Sequence, residues 1–288
     1  MGAPSLAGAG RIVLVATPIG NLDDLSPRAV AAFAAADVVA AEDTRRTGRL
    51  LSRHELRRPL VRYDDHTEDG RTADLVERAA AGEIVAVATD AGTPGISDPG
   101  HVLVRAAVER GIAVELIPGP VAAIHALVLS GLPTDRFVFE GFLPRRRTQR
   151  RDRIAALADD PRTSVWYLSP HRAADELGDL AAALGPRPAA LARELTKLHE
   201  QILRLSLDEL AATVDRDGVR GELTLVVGGA PVDDRPDPAR LSDADLVARV
   251  RDLIATGMAK NAAIATVARA TGAARARVYD ATVVARNS

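Results

Sequence analysis

The stretch Ile84-Val85-Ala86-Val87-Ala88-Thr89-Asp90-Ala91-Gly92-Thr93-Pro94-Gly95-Ile96-Ser97-Asp98-Pro99-Gly100 decides the fold. Its first five residues are small and apolar without a break, the pattern of a strand buried on both faces. Such strands belong to parallel sheets that helices cover on both sides. The following positions are rich in glycine, proline and aspartate, and the strand cannot continue through them, because proline removes a ladder donor and glycine favours turns. A loop of this composition at the carboxyl end of a buried strand is where open α/β sheets bind ligands.

The flanking sequence repeats the pattern. Upstream, Ile12 to Ala16 reads as a strand ending at Thr17-Pro18-Ile19-Gly20-Asn21, and Ser26-Pro27 opens a helix with a capping serine and proline at its first position. Asp37 to Ala41 is the next strand, with Glu42-Asp43-Thr44-Arg45 at its end, and Asp69 to Ala81 is a helix leading into the quoted strand. Downstream, a helix from His101 to Arg110, a strand from Ile112 to Ile117, the turn Pro118-Gly119-Pro120 and an apolar helix to Ser130 follow. This alternation predicts a parallel sheet wound with helices over residues 11–133.

Residues 134–230 read differently, as a second, mixed α/β domain. Strands are expected at 137–143, 164–168, 189–193, 201–205 and 222–227, with a helix from Pro170 to Leu184. The run Pro144 to Arg153 is dense in guanidinium groups. Residues 1–10 read as a flexible N-terminus without the features of a secretory signal, and 231–240, rich in proline and aspartate, as a linker. Residues 241–288 form a small C-terminal helical region, with helices expected at 241–254, 260–270 and 273–285; the last two are spaced like a helix-turn-helix.

Composition narrows the functional classes. With no cysteine among 288 residues, disulfides, thiolate metal sites and cysteine nucleophiles are excluded. A net charge of −2 means that any signal for nucleic acid must be local. No uninterrupted apolar stretch of about 20 residues is present, so no membrane helix is expected, and the chain reads as soluble and cytoplasmic. Neither G-x-G-x-x-G nor G-x-x-x-x-G-K follows a strand, no G-x-S-x-G elbow occurs, and the six histidines lack zinc-site spacing, so no metal is expected. What remains is a cleft of glycine loops, main-chain groups and a few carboxylates, suited to a compact polar ligand.

Several motifs in order, Val15 to Asp24, Ala41-Glu42-Asp43-Thr44-Arg45, the loop 89–100, Pro118-Gly119-Pro120 and Ala192 to Lys197, resemble the tetrapyrrole-methylase superfamily, and within it the ribosomal RNA branch. The resemblance covers about residues 11–230, with the helical tail also similar. It implies a two-domain class III methyltransferase fold, S-adenosylmethionine as cofactor, a homodimer, and as product a 2′-O-methylated cytidine ribose in the decoding region of 16S ribosomal RNA in the small subunit. Carried over position by position, it implies cofactor contacts from Pro18, Asp90, Ala91, Gly92, Thr93, Val121 and Ala122, and from Leu168, Leu195 and Thr224 of the second domain. Residues 90–93 would act as a main-chain cradle. Tetrapyrrole-specific members commonly carry G-D-P where this chain has Asp90-Ala91-Gly92, a departure that favours the RNA branch.

A ribose hydroxyl ionises far above neutral pH, so a general base or a nearby cation should help, typically by about 10²- to 10⁴-fold. The candidates are Glu42, Asp43, Arg45, Glu194 and Lys197, with Glu200 beside them; structural ion pairing competes for each, and proximity alone is the other route. Phosphate contacts are expected from Arg145, Arg146, Arg147, Arg150 and Arg151. Two further readings stay open from sequence: methylation of a tetrapyrrole-like small molecule, and a non-catalytic RNA-binding assembly factor.

Overall fold

The computed structural model describes residues 10–231, 241–256 and 258–284. The expected flexible N-terminus, apart from Gly10, the linker beyond Pro231 and the end of the last expected helix lie outside the described residues. The chain divides into a compact unit that ends at Ala230 and a second unit from Pro231.

The first sheet contains β1 (Arg11–Val15), β2 (Val38–Ala41), β3 (Leu60–Arg62), β4 (Ile84–Ala88) and β5 (Ala113–Ile117), in the order β3-β2-β4-β1-β5. All its pairings are parallel. The unbroken apolar run of β4 is explained by this position: both its neighbours are strands and both its faces are covered. On one face α1 (Pro27–Ala35) and α2 (Thr44–Arg53) bury Ala29, Phe33 and Leu51 against Val13, Val15, Ala86 and Ala88. On the other, α3 (Glu68–Ala80) and α4 (His101–Glu109) bury Leu75, Val76, Leu103 and Ala107 against Ile12, Leu14, Val85 and Val87. Ser26 caps α1 as expected, its side chain accepting from the Ala29 amide.

The second sheet contains β6 (Phe137–Phe142), β7 (Thr163–Leu168), β8 (Pro188–Arg193), β9 (Gln201–Ser206) and β10 (Leu223–Val227), ordered β6-β7-β10-β8-β9. Only β6 and β7 run parallel; the other pairings are antiparallel. The two-residue period of a strand sends Trp166 and Leu225 to one face, where α6 (Arg147–Ala155), α7 (Ala173–Leu184) and α8 (Leu207–Asp217) cover them. Val165 and Val226 go to the other face and meet α5 (Ala122–Ser130) through Ala123, Ala126 and Leu127. Thus α5, though it precedes Pro133 in the chain, packs on the second sheet. Its Ala123, Ala126 and Leu127 cover the apolar face of the second sheet that α6, α7 and α8 leave open.

Four helices depart from the sequence reading. α2, α6 and α8 are additions to it, and α7 begins at Ala173 rather than at Pro170. The expectation for the arginine run is corrected at one position. The run forms α6, and Arg150, 4% exposed, donates to Asp179 from Nε at 2.8 Å and Nη2 at 2.6 Å. Arg151 and Arg147 reach the same carboxylate at 2.9 and 3.4 Å. Burial alone would raise the Asp179 carboxyl, but hydrogen bonds from Arg151 and Arg150 hold it below the usual carboxylate range. Arg150 is therefore a core ion pair and has no guanidinium face for a phosphate, whereas Arg145, Arg146, Arg147 and Arg151 stay exposed.

The second unit consists of α9 (Asp243–Ala255), α10 (Lys260–Thr271) and α11 (Arg275–Val284) around Leu246, Val250, Ile264, Val267 and Val278. α9 opens on a reciprocal cap between Ser242 and Asp245, and α10 ends at the left-handed Gly272.

Candidate active site

In the first sheet β1 and β4 are neighbours, but the chain leaves them in opposite directions: β1 leads to β2 and β4 leads to β5. The gap between their carboxyl ends is the switch point where open α/β sheets take ligands. Here the two loops are joined at their start. Thr17 N donates to Gly92 O at 2.9 Å, Gly92 N to Thr17 O at 3.1 Å, and Thr17 Oγ1 to Thr89 O at 3.1 Å. This junction narrows the expected main-chain cradle, since both main-chain groups of Gly92 are engaged and the Asp90 amide donates to Glu42 Oε2 at 3.0 Å. The amides of Ala91 and Thr93 have no partner among the described residues and remain for a ligand.

The opposite wall comes from the turn between β8 and β9. Glu194 and Thr196 both adopt left-handed backbone, with φ of 52° and 66°. Such conformations persist in non-glycine residues only where surrounding contacts hold them. Glu194 Oε1 accepts from the Glu222 amide at 2.9 Å and from Lys197 Nζ at 3.0 Å, and Lys197 also reaches Glu222 Oε2 at 3.1 Å. The Glu222 amide and Lys197 hold the Glu194 carboxyl below its ordinary value. Burial works against the Lys197 charge, but its bonds to Glu194 and Glu222 outweigh it and raise the ammonium. Thr196 ties the turn to the first loop, its Oγ1 accepting from the Asn21 amide at 3.0 Å.

Between these walls lies a cavity of about 610 Å³, bordered by Ile19, Ala91, Gly92, Thr93, Asp98, Val121, Ala122, Phe142, Tyr167, Leu168, Glu194, Leu195, Lys197 and Thr224, among others. That volume is within the range of about 300–1,000 Å³ usual for small-molecule sites. Of the expected cofactor positions, Ala91, Gly92, Thr93, Val121, Ala122, Leu168, Leu195 and Thr224 line it, while Pro18 is buried beneath and Asp90 stands beside it. Of the expected catalytic positions, Glu194 and Lys197 line it.

Glu42, Asp43 and Arg45 do not line the cavity. Asp43 caps α2 and binds Arg45, its Oδ1 accepting the Arg45 amide at 2.8 Å and its Oδ2 the guanidinium at 2.9 Å, so its carboxyl titrates far below normal. Glu42 holds the Asp90 amide; burial, opposed by that hydrogen bond, raises its carboxyl. Asp90 pairs with Arg46 at 3.1 Å, which leaves Oδ1 buried without a partner.

Asp98 is a cavity residue absent from the expected set, although it stands in the stretch that decides the fold. Burial first, and then the charges of Glu42, Asp65 and Asp90, push its carboxyl up to about 7. In sequence it reads as part of a turn before α4; only the folding of the loop back over itself places it in the cavity.

Two α/β layers with the ligand cavity at a switch point, closed by a turn from a second, mostly antiparallel sheet, define a class III methyltransferase fold. The family model of tetrapyrrole (corrin/porphyrin) methylases matches residues 11–211, and the chain belongs to that family. S-adenosylmethionine is the family's methyl donor. Among relatives, a Synechocystis sp. protein named ribosomal RNA small subunit methyltransferase I is 45% identical over 271 residues, covering 94% of this chain and 96% of the relative. The Mycobacterium tuberculosis protein of the same name is 46% identical over 281 residues, covering 96% of each. The solved structure of uroporphyrin-III-C-methyltransferase from Thermus thermophilus matches the fold with a TM-score of 0.56 at 24% identity, covering 76% of this chain and 94% of that one.

Proposed function

We propose that the protein methylates the 2′-oxygen of a cytidine ribose in 16S ribosomal RNA, within the small subunit, using S-adenosylmethionine. The observation that carries the reading is one cavity built from both sheets, lined by eight of the ten positions that the family resemblance assigns to the cofactor. Relatives named for small-subunit ribosomal RNA methylation, alike over nearly their whole length, direct it to RNA rather than to a tetrapyrrole.

The residues suit the cofactor. When bound, S-adenosylmethionine supplies an activated methyl group on a cationic sulfur. The unpaired amides of Ala91 and Thr93 offer donors, Val121, Ala122, Leu168 and Leu195 offer apolar walls, and the Thr224 hydroxyl adds a polar group on β10. The Lys197 ammonium is matched by two carboxylates, Glu194 and Glu222, so that this wall does not repel a cation. Glu194 and Lys197 orient the ligands, Glu42 fixes the Asp90 amide, and Asp43 with Arg45 secures the start of α2 at the cleft's edge.

The test offers the purified protein labelled cofactor together with small subunits, naked 16S RNA and a corrinoid precursor. Label is expected in RNA, on a ribose oxygen; label in the corrinoid alone would overturn the proposal. Absence of cofactor binding by calorimetry would turn the reading toward the assembly factor.

Phosphate contact in this reading rests on Arg145 and Arg146, which are exposed and have no acidic partner among the described residues, with Arg147 and Arg151 beside them. The double change Arg145→Ala and Arg146→Ala is expected to weaken subunit binding and to lower the slope of log affinity against log salt by about 1–2. Cofactor affinity should stay unchanged; equal loss of both would show that the pair supports the fold instead. The homodimer of the family is proposed here as well. Ile124 and Val128, one turn apart on α5, support it by exposing 42% and 66% of their surface. Light scattering should give twice the chain mass, and Val128→Glu should halve it. A cytoplasmic site follows from the RNA substrate; among the described residues no helix is long and apolar enough to cross a membrane.

A further inference from the structure

The cavity is lined by three carboxylates, Asp98, Glu194 and Glu222. Two of them are engaged: Glu194 accepts from the Glu222 amide and Lys197, and Glu222 pairs with Lys197. No hydrogen bond or ion pair from the described residues reaches the Asp98 carboxylate. It is therefore the lining carboxylate with both oxygens available to a bound molecule. Its position is imposed by the loop. The Gly95 amide donates to Pro99 O at 3.0 Å, closing residues 95–99 into a tight turn, and Ser97 takes left-handed backbone with φ 62°. The register of β6 shifts at Gly141, where a Cβ would stand 3.1 Å from Ser97 Oγ, so the second sheet yields a side chain to let this turn approach. A strained non-glycine residue, held by an opposing bulge, directly precedes the unpaired carboxylate. Strain of that kind gathers at functional sites.

Resting on the proposed ribose methylation, we propose that Asp98 is the general base of the reaction, accepting the proton of the attacking hydroxyl. As the oxygen–carbon bond forms, the carbon–sulfur bond breaks with its electron pair left on sulfur, and the hydroxyl proton ends on the Asp98 carboxylate. A cation and a carboxylate thereby become a neutral thioether and a neutral acid, so the step leaves no charge stranded in the cavity. Burial and the charges that face Asp98 set its proton affinity: Glu42 at the end of β2, Asp65 after β3 and Asp90 in its own loop, with Arg46 of α2 partly offsetting Asp90; Tyr167 of β7 faces it as well, and its own hydroxyl is raised by burial first and then by the Asp98 charge. With the carboxyl pushed up to about 7, the base is matched to a neutral cell, where proton-transfer efficiency is greatest.

The experiment compares wild type with Asp98→Asn, measuring methyl transfer to small subunits across about pH 5.5–9. The wild-type rate should rise tenfold per pH unit at the acid end and level off above about 7. The Asn variant should be slower by about 10²- to 10⁴-fold and lack the inflection, with cofactor affinity by calorimetry within about threefold of wild type. Carboxyl-carbon NMR of the protein alone supplies a readout independent of turnover, with an Asp98 midpoint expected near 7. Stability gives a further one. Because the folded chain binds this proton more tightly than the unfolded chain, whose value is near 3.8, ionising Asp98 removes stability as pH rises to about 7. The variant cannot ionise, so it should melt above wild type at pH 8 and level with it at pH 4. An inflection that survives in the variant, a loss below tenfold, or an NMR midpoint under 5 would overturn the assignment. Wild type that binds cofactor but labels no RNA would instead overturn the substrate reading, and the ribose role of Asp98 with it.

Discussion

Replacing Asp179 by alanine is expected to destabilise the protein by about 3–5 kcal/mol, because it leaves a buried guanidinium without a counter-ion. Three arginines meet at this carboxylate, but they do not lose equally. Arg147 and Arg151 are exposed and can turn to water, whereas Arg150 is 4% exposed and cannot. Trp166, the single tryptophan, lies in the same core cluster as Ile154 of α6, so its fluorescence during urea unfolding reports the change locally. Asp179→Leu combined with Arg150→Met should recover most of the loss, since a well-packed apolar pair avoids the desolvation that the ion pair must offset. A loss under about 1 kcal/mol for the single change would mean that water reaches Arg150.

The second large effect is on the cavity. Gly20→Ala is expected to weaken S-adenosylmethionine binding by tenfold or more while leaving both sheets folded. A Cβ at Gly20 would sit 2.5 Å from Lys197 Cγ, 2.6 Å from Thr196 Oγ1 and 2.7 Å from Leu195 O. The first can swing away, but the last is backbone in a turn already held left-handed at Glu194 and Thr196. Relief must come from parting the loop after β1 from the turn after β8, the two walls that Asn21 and Thr196 tie together. Overpacking of this kind costs about 1–3 kcal/mol. Because Ile19 and Leu195 line the cavity on either side of the contact, the displacement should appear in affinity. Calorimetry against a melting curve separates the effects; affinity within about twofold of wild type would show that the walls do not depend on this contact.

Much of the molecule was legible before folding because it rests on local rules. β4 could be read from an unbroken apolar run and α1 from Ser26-Pro27, since burial on both faces and end-capping leave marks within a few residues. Three helices are absent from the sequence reading, and α6 is one of them because its run of arginines reads first as a charged surface. α8 does carry a local sign, the reciprocal cap of Ser206 and Glu209, at the end of a strand whose pattern runs straight into it. α2 has few apolar residues, burying only Thr47 and Leu51, and its arginines mask the period. The cofactor positions were legible because long motifs in order resemble a known family, not because spacing implied them.

The sequence by itself determined β1, β2, β4 and β5 of the first sheet with α1, α3 and α4, the change of character after Pro133 and the loops that meet a ligand, because propensity, capping and hydrophobic period act over short separations. The tertiary structure alone decided which charges are available for chemistry. Arg150 and Asp98 look alike in sequence, each a charged residue in a polar run. Packing gave Arg150 a buried partner 29 positions away, and brought Glu42, Asp65 and Asp90 around Asp98 without giving it any. Desolvation and Coulomb energy depend on distances through space, and those distances exist only once both sheets are in place.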